Sequence, residues 1–456
     1  MLTVTITNTI MSKTRNAGGG GIPPSNTVAP VISGSSTIGS TLSSTTGTWV
    51  GDPVITYSYQ WKRAGVDIVG ETNSTYVLVA ADYNQAITCE VTATNAFGAA
   101  SATSNSIIAT ATAPVNTVAP VISGTAVVGQ TLSSTTGTWT GAPTPTYAYQ
   151  WKRNGSNIAS ATSSTYTLVQ ADATFAITCA VTATNIAGSA EATSNSLTIT
   201  DADAQSVITA IESTGVTLTT TQKNACNQLI VDLKGFGIWT KMKALYGFLG
   251  GTAGAHKWNW KDPQDTNAAF RLVFNGGWTH SVTGALPNGT NAYADSFLNT
   301  QTHLSLNSGH LSYYSRLNTI SGSYIEIGSL RPTPDSYTAI IINGFGLGYL
   351  GRINNGGAYD NIANADSRGF YLTNRTASNI IKLQKNGTVV VNGTAASNAT
   401  SNINIYLGAA NNSGITQYYT NRECAFSSIG DGLTGTEAAN FYTAVNAYQV
   451  ALSRNV

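Results

Sequence analysis

Apolar and polar positions alternate with period two along most of this chain, in short runs broken by Gly, Pro, Asn and Ser, which predicts strands and tight turns. In the first third, strands are expected near Val31–Ile32, Thr41–Trp49, Thr56–Arg63, Thr75–Val79, Ala86–Asn95 and Ser101–Ala109. The same pattern then starts again. Trp49, Trp61 and Cys89 recur as Trp139, Trp151 and Cys179, each 90 residues on, and NTVAPVISG, TLSSTTGTW and YQWKR return without insertion or deletion. The period changes at Ala204–Ser213 and Thr220–Gly235. There Val207, Ile208 and Ile211, then Ala225, Leu229, Ile230 and Leu233, fall at helical spacing. From Met242 on, alternation resumes, with strands expected near 244–249, 269–274, 310–315, 323–327, 338–342, 369–374, 380–385 and 403–407. Asn386-Gly387 sits between two alternating runs, a strong hairpin signal. The stretch from Ala339 to Leu350 reads as one buried strand, and a helix is expected from Thr436 to about Leu452.

A duplicated unit of about 90–100 residues is too long for a solenoid repeat and has the size of an independent β-sandwich. Both copies carry G-x-T-L, G-T-W, Y-x-Y-Q-W-K-R, T-Y-x-L, A-D and I-T-C-x-V-T-A-T-N in the same order. This pattern resembles the immunoglobulin-like repeats of bacterial surface proteins and tailed-phage virion proteins, with Trp61 as core tryptophan of the third strand and Cys89 on the sixth. Ile87 and Ile177 stand two residues before the cysteines, where antibody domains carry tyrosine, and Leu42 and Leu132 occupy the position of a disulfide partner. The C-terminal sequence, a strand with Cys424, Ala425, Phe426 and Ile429 followed by Gly430–Thr434 and a helix, resembles the close of laminin-G or concanavalin A-like jelly rolls. Lys261–Asn299 is similar to head domains of tailed-phage structural proteins.

The expected fold is therefore mainly β: two tandem immunoglobulin-like β-sandwiches, a short helical connector and a C-terminal jelly-roll β-sandwich with a terminal helix. The divisions are an arm at 1–24, sandwiches at 25–113 and 114–201, a connector at 202–241 and a head at 242–456. In the arm, Leu2–Ile10 alternates as one strand needing an edge to join, and Gly18–Gly21 with Pro23 and Pro24 reads as a flexible joint.

Composition narrows the function. Only 9 % of residues are charged and the net charge is +1, so solubility rests on hydroxyls and amides, and long-range attraction to nucleic acid or anionic membranes is not expected. No apolar run approaches the roughly 18 residues of a membrane span. The first residues lack the charged start and apolar core of a secretory signal, an expectation that fits assembly in a host cytoplasm and release by lysis. The four cysteines are expected as buried free thiols, a Cys226–Cys424 bridge having no support from spacing.

Candidate chemistry is sparse. Glycoside hydrolysis needs two carboxylates about 5 to 9 Å apart, and the head strands offer only Glu326 and Glu423, without a Glu-x-Asp run. His256, His280, His303 and His310 lack metal-ligand spacing and read as surface or loop residues. Asp262 with Asp265, and Asp360, Asn361 and Asp366, fit turn chemistry better than calcium. No catalytic residue, cofactor or metal is expected. Sugar stacking needs aromatic faces and amide donors without fixed spacing, and Trp278, His280, Tyr349 and Tyr359 are the candidate glycan contacts. The expected role is a non-enzymatic virion protein of a tailed phage, as capsid decoration, head fibre or tail fibre. It would join other virion proteins through residues 1–24, form a homo-oligomer and attach to host glycans by weak multivalent contacts. A bacterial cell-surface adhesin is the alternative, and a carbohydrate-active enzyme stands behind both.

Overall fold

A computed structural model describes residues 20–319, 324–332, 335–344, 346, 348–356 and 360–456. The alternating run Leu2–Ile10 and the candidate Tyr359 lie outside them.

Each repeat is an immunoglobulin-like sandwich. In the first, Ile32–Ser33, Thr41–Ser44 and Thr75–Val77 form one sheet, and Ile107–Ile108, Ala86–Asn95, Thr56–Arg63, Val66–Asp67 and Gly98–Thr103 form the other. Trp61 lies directly across from Cys89 within the second sheet, and Leu42 faces them from the first, all three with no exposed surface. The second repeat copies this down to its polar contacts. The Trp61 indole donates to Asn73 O at 2.9 Å and the Trp151 indole to Ser163 O at 2.9 Å. The expected strand Thr41–Trp49 is two strands, because Gly47 at φ +72° turns the chain before Thr48–Val50 pairs with Ser25–Val28.

The joints are shorter than composition implies. Thr110 still bonds to Ser36 of the first repeat, while Thr112 already pairs with Ala142 of the second, so one residue, Ala111, separates them. Ile22 N–H donates to the Asp52 carboxylate, and Ile22 O accepts from Asp52 N–H and the Asn95 amide, as Thr112 O accepts from Asn185. Ile22, next to Pro23 and Pro24, is thus tied to the first repeat, while Gly18 and Gly19 of the expected joint lie outside the described residues.

The remaining chain forms one body of two sheets and helices. The helices are α1 (Ala202–Glu212), α2 (Thr220–Gly235), the single turns α3 (Ala253–His256) and α4 (Thr300–His303), and α5 (Gly435–Ala451). Eight strands, with Cys424–Gly430, Gly309–Ser315 and Gly369–Ala377 at the centre, face a nine-stranded sheet that includes Tyr293–Asn299, Asn404–Leu407 and Ile327–Pro332. Tyr313, Tyr371, Ile340, Ile353 and Ile405 fill the space between. The other side of the eight-stranded sheet is buried too. Phe370, Leu372 and Phe426 meet Ile211 of α1, Leu229 and Leu233 of α2, and Phe441 and Val445 of α5 in one apolar cluster.

The helices of the 202–241 segment pack their apolar stripes on the sheet and on α5. Capping boxes at Thr219 with Gln222 and at Thr434 with Glu437 start the two longer helices as their sequences predict. The run Ala339–Leu350 is not one strand. It contributes to Asp335–Ile341 and Tyr349–Asn355, which pair antiparallel across a glycine-containing loop. The hairpin at Asn386-Gly387 forms as expected. Both residues take positive φ, +48° and +77°, and Lys385 pairs with Thr388.

Candidate functional site

The candidates start from the hairpin of Trp278–Ser281 and Gly284–Pro287 at the edge of the eight-stranded sheet. Strand alternation points Trp278 and His280 to the same side, where their rings stack at 6.2 Å and 25°. Phe274, from the other sheet, meets both edge-on at 5.2 Å and 4.6 Å. The Trp278 indole N–H is held by Asn275 O and Tyr293 O at 3.0 and 3.2 Å. Trp278 therefore closes the sandwich edge, with its polar tip bonded inward.

His280 Nδ1 lies 2.9 Å from His256 Nδ1. Gly251 N–H donates to His256 Nε2 at 3.2 Å, so that nitrogen is an acceptor and the His256 proton sits on Nδ1. His280 then accepts on Nδ1 and carries its own proton on Nε2. Burial, aided by His280 and Arg454, holds the His256 pKa well below the ordinary histidine value, and burial lowers that of His280 as well. The couple is neutral at pH 7. His256 and His310 are buried, which corrects the expectation that each histidine is a surface or loop residue. Among the described residues no three His, Cys, Asp or Glu side chains converge on a metal-binding geometry.

Tyr349 does not serve as a glycan contact. Only 1 % of it is exposed, its ring meets Tyr371 edge-on at 4.9 Å, and its hydroxyl pairs with Thr373 at 3.1 Å. Period-two alternation identifies an aromatic residue in a strand but not whether a second layer covers it.

The two candidate carboxylates, Glu326 and Glu423, are bound internally. Glu326 has no exposed surface and accepts from Arg422 at 2.5 Å, Thr420 at 3.1 Å and Ile342 N at 2.7 Å. Glu423 accepts from Thr283 at 2.6 Å and Arg316 at 3.0 Å. Each acid is ion-paired inside the head, Glu326 with Arg422 and Glu423 with Arg316.

Sequence reasoning missed one outward cluster. Tyr293–Asn299 buries Ala294, Ser296 and Leu298 and turns Tyr293, Asp295 and Phe297 to the other side, while its neighbour Asn404–Leu407 buries Ile405 and Leu407 and turns Asn404 and Tyr406 outward. Register places Asp295 opposite Tyr406, and the Tyr293 and Tyr406 rings stack at 4.7 Å and 27°. The signal was the alternation in Y-A-D-S-F-L-N, but its partner strand is 109 residues away at Asn404 and nothing local links the two.

No family model matches the chain, and no curated protein matches it. Partial likenesses exist to solved structures. Sidekick-1 immunoglobulin domains 1–5 match at 22 % identity over 39 % of this chain and 40 % of that one, with a TM-score of 0.24. The titin domains Z1Z2, solved with telethonin, match at 20 % over 39 % of this chain and 97 % of theirs, with a TM-score of 0.21. Domain 4 of AbnA, an extracellular arabinanase of Geobacillus stearothermophilus solved with arabinotriose, matches at 15 % over 44 % and 98 %, with a TM-score of 0.30. This chain thus spans well under two thirds of the Sidekick-1 chain. Scores of this size describe partial overlap of β-sandwich modules, and the fold assignment rests on the strands and registers above.

Proposed function

We propose that this chain is a non-enzymatic structural and adhesive protein of a tailed-phage virion, serving as capsid decoration, head fibre or tail-associated fibre. One observation carries the reading. Two closely similar sandwiches run, with one residue between them, into a head in which the candidate acids Glu326 and Glu423 are each engaged by internal donors. Duplicated modules of this kind extend or multiply contacts, and a head whose two candidate acids are each paired with an arginine is suited to holding a surface. The sparsely charged, hydroxyl-rich composition supports contact by hydrogen bonding and stacking more than by ion pairing. Attachment to other virion proteins is assigned to residues 1–24, and copies on one particle turn weak single contacts into avidity.

The test is peptide mass spectrometry on gradient-purified particles from a lysed source culture, against the host cell envelope fraction. Stoichiometric peptides in the particles are expected. Recovery in the envelope alone would replace the virion reading with that of a bacterial surface adhesin.

A further inference from the structure

We propose that the outward side of the nine-stranded sheet bears a binding platform for a neutral glycan, built from Tyr293, Tyr406, Asp295 and Asn404. This deepens the adhesive reading and rests on it for its biological setting. The tyrosine rings stack on one another 4.7 Å apart and 27° from parallel, which leaves their outer faces as the flat aromatic surface that packs the C–H face of a pyranose. Both are partly exposed. Burial first, then Asp295 and Tyr293, pushes the Tyr406 pKa up to about 12, so its hydroxyl stays a proton donor at physiological pH.

Asp295 makes the cluster more than a cross-strand aromatic pair that stabilises a sheet. Its Oδ1 accepts from Phe297 N–H at 2.8 Å and its Oδ2 from the Asn404 amide at 3.2 Å. A carboxylate has about four acceptor directions, so positions remain for ligand hydroxyls. No described cation pairs with Asp295, and burial raises its pKa. A partly buried carboxylate without a counter-ion is under-served by the protein and well served by a polyol. The Asn404 amide orients it, and Asn411 holds the Asn404 backbone oxygen at 3.0 Å, so the edge is supported by the neighbouring strand Ala410–Asn412. Two stacked, near-parallel rings offer their outer faces and form no box. That favours a flat sugar over a quaternary ammonium group, which is caged by rings at angles.

The experiment is a glycan array of neutral and charged oligosaccharides, with phosphocholine spots, probed with the purified full-length chain. The best-bound oligosaccharide is then titrated against variants. Binding to neutral oligosaccharides is expected, falling about ten-fold or more in Tyr406→Ala and in Asp295→Asn and about three-fold or less in Tyr406→Phe, which keeps the ring. Tyr57→Ala, on the first repeat, is expected to match the wild type. Circular dichroism confirms that each variant is folded, and Tyr406→Phe covers the case in which the alanine variant is not. Absence of binding to every oligosaccharide, binding to phosphocholine alone, or unchanged affinity in Tyr406→Ala would overturn the platform. None of these results bears on whether the chain is found in particles, so failure of this proposal and failure of the virion reading are separable.

Discussion

His310 shows how much of this head is settled by single buried polar groups. Its Nδ1 lies 2.7 Å from Asp431 O, which can only accept, so Nδ1 carries the proton and Nε2 accepts from Ser428 at 3.0 Å. Ser312 then donates to Ser428 at 2.7 Å, giving a chain with one direction. Burial pulls the His310 pKa down to about 4. The unfolded chain takes up the proton near pH 6.5 and the folded chain only near 4, so stability is full above 6.5 and falls as the pH drops between those values. The loss from this residue is expected to reach about 3 kcal/mol, at about 1.4 kcal/mol per unit. Urea unfolding at pH 7 and 4.5 checks it: His310→Gln should show a shallower pH dependence than the wild type, and an equal slope would contradict the assignment. A second residue-scale test uses the duplication as its own control. Asp82 is fully buried and accepts from Arg63 at 2.6 Å, Tyr76 at 2.7 Å and Val79 N at 2.7 Å, as Asp172 does from Arg153, Tyr166 and Val169 N. Asp82→Ala strands these donors and is expected to cost about 3 kcal/mol. Hydrogen exchange should accelerate in the first repeat and stay unchanged in the second. The tryptophans and cysteines of this core were legible because strand alternation and repetition mark them, whereas the Arg63–Asp82 pair, 19 residues apart, carries no periodic signal.

Among the elements, α2 and α5 decide whether the head is a sandwich with an appendage or a three-layer body. Phe441 of α5 meets Phe370 at 5.4 Å and Phe426 at 5.9 Å on the sheet, and α2 fills the same cluster through Leu229, Ile230 and Leu233. A fragment beginning at residue 242 is therefore expected to be unfolded or aggregated, while one beginning at 201 folds. Gel filtration and circular dichroism distinguish the outcomes. Phe441→Ala should cost about 3–5 kcal/mol in the full chain, read by denaturant unfolding. Helical spacing made α1, α2 and α5 legible to within a residue or two at each end, and Asn386-Gly387 fixed one hairpin by turn chemistry alone. What each helix packs against was not legible, because an apolar stripe states that a face is buried without naming its partner. The same gap made Tyr349 look available when a second sheet covers it, and hid Tyr406, whose neighbours come from distant strands.

For the whole molecule, duplication with short joints is the organising fact, and the thiols report on it. All four cysteines are free and buried, with Cys226 in the helical layer and Cys424 between the sheets. Burial pushes the thiol pKa of each upward. A thiol reagent is expected to modify none of the four in the native chain and all four in denaturant, with no mass change on reduction. The proposed adhesive virion role would join these scales, with the repeats for extension and the head for contact. Immunogold electron microscopy of purified particles, with antibody against the head and a phage-free host lysate as control, tests it most directly. Label regularly placed on the capsid or tail is the predicted result. Gold confined to host cell surfaces, with unlabelled particles, would contradict it.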